Sequence, residues 1–294
     1  MPDTSKKLTV ILGPTALGKT KLAVSMAIDI GGEIISADSR QVYRGLDIGT
    51  GKDLTEYTVN GVTVPYHLID ICEPTEEYNV NLFQQDFTKA FEDILSRGKH
   101  PILCGGTGLY IQAVLEGFQF TSVPKNMDLR ERLSALSRRE LLSKAQTYDF
   151  PGNFKPDFSS TKRLQRAIEI GEFLRSNKLK TLKPTNFDYQ IIGLTASRDV
   201  RRKRISERLT DRLNNGLIEE IEGLIASGVP KHKLRFFGLE YKFVTDHLDG
   251  LLNRQELFEK LEIAIHQFAK RQMTWFRKME REGYEIKWVE KSQI

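Results

Sequence analysis

Between an apolar run, Leu8 to Leu12, and a helical pattern, Lys19 to Ile30, stands the segment Gly13-Pro14-Thr15-Ala16-Leu17-Gly18-Lys19-Thr20. This G-x-x-x-x-G-K-[ST] pattern constrains the chain more than any other feature, because it works as the turn between a strand and a helix. Gly13 and Gly18 let the backbone curl so that its N–H groups point inward at phosphate oxygens. The helix starting near Gly18 adds the positive end of its dipole. Lys19 sets a cation on the terminal phosphates, and the Thr20 hydroxyl can ligate Mg²⁺. A chance match in a chain this long has a probability on the order of one per cent. Loops of this kind most often hold ATP or GTP, so a nucleotide-binding kinase or NTPase is one open reading. A nucleic-acid-binding protein that uses the loop only structurally is another.

The segments that follow alternate in a way that suits such a loop. Apolar runs at Glu33 to Ala37, Tyr66 to Ile71 and Pro101 to Cys104 read as short strands, and Leu82 to Leu95 as a helix. Gly105, Gly106 and Gly108 lead into a further helix through Leu115. This predicts an α/β fold: a P-loop NTPase-like parallel sheet core, covered by helices on both faces. From about Phe120 to Pro184 the alternation stops, and helical patterns at Leu129 to Leu142 and Lys162 to Leu174 flank a loop rich in Pro, Gly and Ser. We therefore expect a core of residues 1–119 and 185–294, with a helical insertion domain over 120–184. Gln190 to Thr195 reads as a return to the sheet and Ile286 to Val289 as a last strand. Leu257, Leu261, Ala264, Phe268, Trp275 and Met279 fall at helical spacing and predict a core-facing stripe.

Composition matters mainly through charge. The 294 residues carry a net charge of +5, and the excess is not spread evenly. Arg198, Arg201, Arg202, Lys203, Arg204, Arg208 and Arg212 crowd one stretch, Lys162, Arg163 and Arg166 a second, and Lys270, Arg271, Arg277 and Lys278 a third. A solvated helix face with intrahelical ion pairs accounts for any one cluster, but three together favour a nucleic-acid partner. No apolar run approaches the ~20 residues that a membrane span needs. Met1 to Leu8 has no secretory pattern, and Cys72 and Cys104 read as buried, reduced thiols. A cytoplasmic, monomeric protein with no membrane contact is expected.

Four further segments, in order with the phosphate loop, carry a resemblance: Asp38-Ser39-Arg40-Gln41-Val42-Tyr43, Leu46-Asp47-Ile48-Gly49-Thr50, Gly105-Gly106-Thr107-Gly108-Leu109-Tyr110, and Lys270-Arg271-Gln272-Met273-Thr274-Trp275-Phe276-Arg277. Together they resemble the tRNA dimethylallyltransferases, also called tRNA isopentenyltransferases, over nearly the whole chain. The resemblance implies a core and insertion domain that hold a tRNA anticodon arm. It also implies Mg²⁺-dependent transfer of a dimethylallyl group from dimethylallyl diphosphate to N6 of adenine 37.

Residue by residue, the resemblance implies that the loop Gly13 to Thr20 holds the diphosphate, with Thr20 on Mg²⁺. Asp38 is implied as general base on the adenine amine, Thr107 as a contact to the diphosphate's bridging oxygen and the tRNA, and Arg208 as a diphosphate contact. The chemistry agrees, because departing diphosphate needs cations and a delocalised amine needs a base. A Mg²⁺ ligand or helix cap for Asp38, an N-cap for Thr107 and a solvated position for Arg208 stay open. Asp38, Ser39, Arg40 and Gln41 are implied to hold the target base, which has to leave its stack. Further tRNA contacts are implied for Thr107, Arg130, Lys162, Arg163, Leu164, Gln165, Arg166, Arg235, Phe236, Phe237, Gly238, Leu239, Glu240 and the run Lys270 to Arg277. Most should go to phosphate. Two places depart from the family: Leu239-Glu240 stands where many members have Tyr and a basic residue after the glycine, and Asp157 to Thr161 replaces a His-Pro-Asn-Asp run. A prenyltransferase acting on a free nucleotide shares the loop and is the neighbouring alternative.

Overall fold

A computed structural model describes residues 7–152, 154–179 and 187–291. Two compact units emerge, one of Met1–Leu115 with Thr185–Ile294 and one of Glu116–Pro184. The first begins with β1 (Lys7–Leu12), α1 (Lys19–Ile30) and β2 (Gly32–Ser36). A small antiparallel hairpin, β3 (Thr58–Val59) and β4 (Val62–Thr63), precedes β5 (Tyr66–His67), α2 (Val80–Ser96), β6 (His100–Gly105) and α3 (Gly108–Glu116). The second unit holds α4 (Met127–Ser134), α5 (Arg138–Ala145) and α6 (Thr161–Ser176). The chain returns to the first through β7 (Asp188–Thr195), α7 (Arg198–Asn214), α8 (Leu217–Ala226), α9 (Lys231–Leu234), α10 (Leu239–Leu248), α11 (Arg254–Arg281) and β8 (Ile286–Glu290).

Six strands form one sheet in the order β5-β2-β6-β1-β7-β8, every pair parallel. This is the α/β core that the strand–helix alternation predicts. β1 sits between β6 and β7 at the centre of the sheet, and helices cover both its faces, so its sequence is apolar almost without a break. Period-two alternation divides its side chains between two cores. Leu8, Val10 and Leu12 join Phe83, Phe87 and Phe91 of α2, Ile111 of α3 and Phe276 of α11. Ile11 joins Ala23, Val24 and Ala27 of α1 on the other face. The polar member, Thr9, is fully buried but satisfied: its Oγ1 bonds His100 Nε2 at 2.8 Å and accepts from Gln190 Nε2 at 2.9 Å. A third core joins α7, α8, α10 and α11 to Val42, Tyr43 and Leu46.

Three expectations are corrected by backbone and packing. The strand predicted over Tyr66 to Ile71 keeps only Tyr66–His67, because Leu68 (φ 61°) and Asp70 (φ 55°) adopt left-handed backbone and turn the chain away. The helical pattern Leu129 to Leu142 is two helices, since Ser137 and Glu140 form a reciprocal capping box that starts α5 anew. On α11 the buried stripe is Leu257, Leu261, Ile265, Ala269, Gln272, Met273, Phe276 and Met279. Phe268 is 39% exposed, and Ala264 and Trp275 are only half-buried. Cys72 and Cys104 are free and buried. No helix among the described residues is long and apolar enough to cross a membrane.

Candidate active site

The phosphate loop leaves the end of β1, at the carboxyl edge of the parallel sheet, where such sheets place their ligands. Gly13 (φ 151°) tolerates no side chain, since a Cβ there would sit 2.7 Å from the Leu194 carbonyl oxygen of β7. Gly18 (φ 77°) caps α1 in the left-handed region, and Ala16 (φ 64°) shares that conformation despite its Cβ, a strain typical of functional loops. The Lys19 ammonium donates to the Pro14 carbonyl at 3.0 Å. Burial, with the neighbouring Arg208 charge also opposing protonation, holds Lys19 well below its ordinary value, at about 8. A cation in this position gains most from a bound anion.

Asp38 follows the end of β2. Its Oδ1 accepts from the backbone N–H of Arg40 at 2.8 Å and of Gln41 at 3.4 Å, a local turn that fixes the carboxylate plane. The β6–α3 connection is stitched to the same place. The Ala37 N–H donates to the Cys104 carbonyl at 2.7 Å, and the Thr107 N–H donates to the Ala37 carbonyl at 3.2 Å. The Thr107 carbonyl accepts the first bonds of α3, while Thr107 Oγ1 accepts from the Ser39 N–H at 3.2 Å. Thr107 thus stands at the helix start but turns its hydroxyl toward Ser39. The glycines are required by this closeness: a Cβ on Gly105 would lie 2.3 Å from the Ala37 oxygen, and one on Gly108 2.3 Å from the Trp275 ring.

Two side chains from distant parts of the chain complete the frame. Arg208 of α7 donates to Thr15 Oγ1 at 3.4 Å and pairs with Asp53 at 3.3 Å. Gln272 of α11 accepts from the Thr15 N–H through Oε1 and donates from Nε2 to the Gly106 carbonyl, both at 2.9 Å. One amide therefore ties the phosphate loop to the glycine-rich turn. The opposite wall, residues 41 to 53, is held by Gln41, which donates to the Gly51 carbonyl at 3.0 Å, and by buried Lys52, which bonds the Tyr43 carbonyl and the Asp47 and Asp70 carboxylates. Glu220 accepts from the N–H groups of Asp47, Ile48 and Gly49 and from the Tyr241 hydroxyl.

These elements enclose a cleft of about 1210 Å³ within the first unit. Of the residues named from the sequence, Thr15, Ala16, Gly18, Lys19, Thr20, Asp38, Ser39, Arg40, Gln41, Thr107, Arg208, Arg235 to Glu240, Arg271, Gln272 and Trp275 line it. Gly13, Pro14 and Leu17 lie beneath, buried as the loop's support. Phe236 is 67% exposed, with the Arg40 guanidinium 4.9 Å above its ring. Lys270, Thr274 and Arg277 occupy the exposed face of α11. In the second unit, Lys162 and Arg163 are exposed, and Gln165 is half-buried. Arg130 and Arg166 both bind the buried Glu169 carboxylate.

Four of the residues expected among the tRNA contacts have buried side chains. Leu164 lies in the core of the second unit, packed with Leu129, Leu133 and Leu141. Met273 and Phe276 belong to the core under β1, and Phe237 packs against Tyr43 with the rings tilted by 55° and their centroids 4.7 Å apart. Their side chains leave little surface exposed. Glu240 turns to Arg212 at 3.6 Å, and Arg235 is committed to Asp246 and Asp249. The sequence reading missed Arg212 as a cleft residue and missed Gly51, Glu220 and Lys291, whose Nζ lies 2.9 Å from where a Gly18 Cβ would be. Gly51 and Lys52 adjoin a quoted motif and could have been found there, whereas Glu220 and Lys291 carry no local signal.

Comparison with known proteins gives a consistent picture. The family model described as IPP transferase matches residues 41–279, and one described as isopentenyl transferase matches residues 6–66. The chain is 53% identical to tRNA dimethylallyltransferase 1 of Porphyromonas gingivalis, over 96% of this chain and 93% of that protein. It is 50% identical to tRNA dimethylallyltransferase 1 of Geotalea uraniireducens, over 97% and 93%. The crystal structure of a full-length tRNA isopentenylpyrophosphate transferase from Bacillus halodurans superposes with a TM-score of 0.69 at 35% identity, covering 97% of this chain and 90% of that one. A eukaryotic dimethylallyltransferase captured acting on tRNA superposes with a TM-score of 0.76 at 25% identity, covering 97% and 74%.

Proposed function

We propose, since the chain belongs to the IPP transferase family, that it transfers a dimethylallyl group from dimethylallyl diphosphate to N6 of adenine 37 in tRNA and releases diphosphate. The observation that carries this reading is the single cleft where the phosphate loop, Arg208, Thr107 and Asp38 meet. The diphosphate lies on the loop N–H groups and on Lys19, Thr107 and Arg208, and the adenine amine lies beside Asp38. As N6 attacks the allylic carbon, the bond from that carbon to the diphosphate oxygen breaks. The charge appearing on that oxygen is met by cations already in place, which need no reorganisation. The N6 proton passes to Asp38, whose Oδ1 is occupied by two backbone N–H groups and whose Oδ2 is left to accept it.

Thr20, at the first turn of α1 and on the cleft wall, has the hydroxyl through which Mg²⁺ would be held together with diphosphate oxygens. That donor set suits an ion held through few protein oxygens plus phosphates, and the ion would neutralise charge on the leaving group. The tRNA is gripped by exposed cations: Arg271, Lys270 and Arg277 of α11 in the first unit, and Lys162 and Arg163 of α6 in the second. Phe236, exposed beside Arg40, offers a ring on which an unstacked base can lie.

The test is incubation with unmodified tRNA and labelled dimethylallyl diphosphate, followed by nucleoside analysis. One diphosphate should appear per prenylated adenine, only with tRNA present, and ATP should not be turned over. ATP hydrolysis or phosphoryl transfer without tRNA-dependent diphosphate release would sink the reading. Prenylation of free AMP in preference to tRNA would favour the free-nucleotide alternative.

A further inference from the structure

Arg212 lies one helical turn beyond Arg208 on α7 and is 9% exposed. Its Nη2 is buried without any hydrogen-bond partner. A buried guanidinium with an open donor is costly, and such a group is retained where something completes it. Its one ion-pair contact among the described residues, to Glu240 at 3.6 Å, is too long for the bidentate fork that arginine forms with a well-matched carboxylate. Both partners are pressed toward neutrality, chiefly by burial: Arg212 is lowered to about 10 and the Glu240 carboxyl is raised.

Geometry shows where the open donor points. Gly51 (φ 68°) has no side chain, and the place its Cβ would occupy lies 1.9 Å from Arg208 Nη2 and also 1.9 Å from Arg212 Nη2. Two guanidinium nitrogens thus pack side by side against Gly51 and fill the space a side chain there would need, and Gly51, Arg208 and Arg212 all line the cleft that holds the phosphate loop. Like charges this close repel unless an anion sits between or beside them. Asp53 at 3.3 Å from Arg208 and Glu240 at 3.6 Å from Arg212 are the carboxylates at hand, and each forms an ion pair with only one of the two arginines.

We infer that Arg212 is a second diphosphate-binding guanidinium, which works with Arg208 across Gly51 to hold the phosphate farther from the Lys19 end of the site. The inference rests on the reading that a diphosphate occupies the loop, and it adds what selects that anion. One phosphate is served by the loop N–H groups and Lys19. A second, with its additional charge, needs the arginine pair. Arg212 then discriminates diphosphate from monophosphate, and Glu240 restrains it in the empty site by offering a weaker substitute for the anion.

Calorimetric titration of the full chain with inorganic pyrophosphate, and separately with orthophosphate, tests this. Arg212→Met should weaken pyrophosphate binding by roughly tenfold to a hundredfold, the range for losing a charge-assisted hydrogen bond, and leave orthophosphate binding near its wild-type value. Glu240→Gln should tighten pyrophosphate binding severalfold, because it removes a competitor for the guanidinium and a negative charge beside the anion. A merely structural Arg212 gives a different pattern: unchanged pyrophosphate affinity in folded Arg212→Met and no tightening in Glu240→Gln. Either result overturns the inference. If Arg212→Met does not fold, the Glu240→Gln titration decides alone. Absence of pyrophosphate binding by the wild-type chain would take down the reading of the loop itself, and is distinguishable because it precedes any substitution.

Discussion

At the residue scale, the proposed reaction gives Asp38 and Lys19 separable work, and substitutions should separate them. Asp38→Asn keeps the side-chain oxygen that accepts from Arg40 and Gln41 but removes the base. Turnover should fall roughly 10²–10⁴-fold, the usual cost of losing a general base, while pyrophosphate affinity stays near wild type. Near-normal turnover in that variant would assign Asp38 a structural role. For Lys19 the expectation is a pH dependence with a definite sign. Burial lowers this group to about 8, so the ammonium is complete below that pH and disappears above it. An anion binds the ammonium, so KM for the prenyl donor should rise as pH climbs through about 8, and binding near that pH should take up protons. A donor KM independent of pH from 7 to 9, a range spanning that value, would show that Lys19 is not in contact with the diphosphate.

At the scale of elements, the site depends on how β2, β6 and α11 are locked together. Gly105 closes β6 against the Ala37 carbonyl, and Gly105→Ala places a methyl 2.3 Å from that oxygen. Backbone cannot give way as a side-chain end can, so the variant should lose about 1–3 kcal/mol in denaturant unfolding. Gln272 was expected among tRNA contacts, yet its amide is spent on Thr15 and Gly106. Gln272→Leu should therefore raise donor KM and lower Tm with tRNA affinity unchanged. Loss of tRNA affinity alone, with normal donor KM, would return Gln272 to the tRNA surface. The rest of α11 follows from burial: its stripe is displaced from the predicted one because the face bearing Phe268, Arg271 and Trp275 is turned to the cleft.

At the scale of the whole molecule, the net charge of +5 is small, but the exposed lysines and arginines of α6 and α11 concentrate it. Affinity for tRNA should fall with salt, log K changing by about 0.7–0.9 per phosphate contact for each unit of log salt concentration. A flat response over roughly 50–200 mM would argue against a polyanionic substrate. Charge reversal at Lys162 and Arg163 should reduce that slope without touching pyrophosphate binding, since neither residue lines the cleft.

What the sequence determined by itself is local. The phosphate loop, the strand and helix that flank it, and the parallel sheet follow from glycine positions and from apolar runs a few residues long, and Asp38 and Thr107 are singled out through the motifs that carry the family resemblance. The tertiary structure decided everything that depends on contacts across the chain. The side chains of Leu164, Phe237, Met273 and Phe276 turn inward, because a residue inside a motif still has to face one way. Arg212, Gly51, Glu220 and Gln272 acquired their parts only when α7, α8 and α11 folded against the loops after β1 and β2. Charge, hydrogen bonding and steric exclusion act over a few ångströms of space, and a sequence records only the order in which those neighbours are joined.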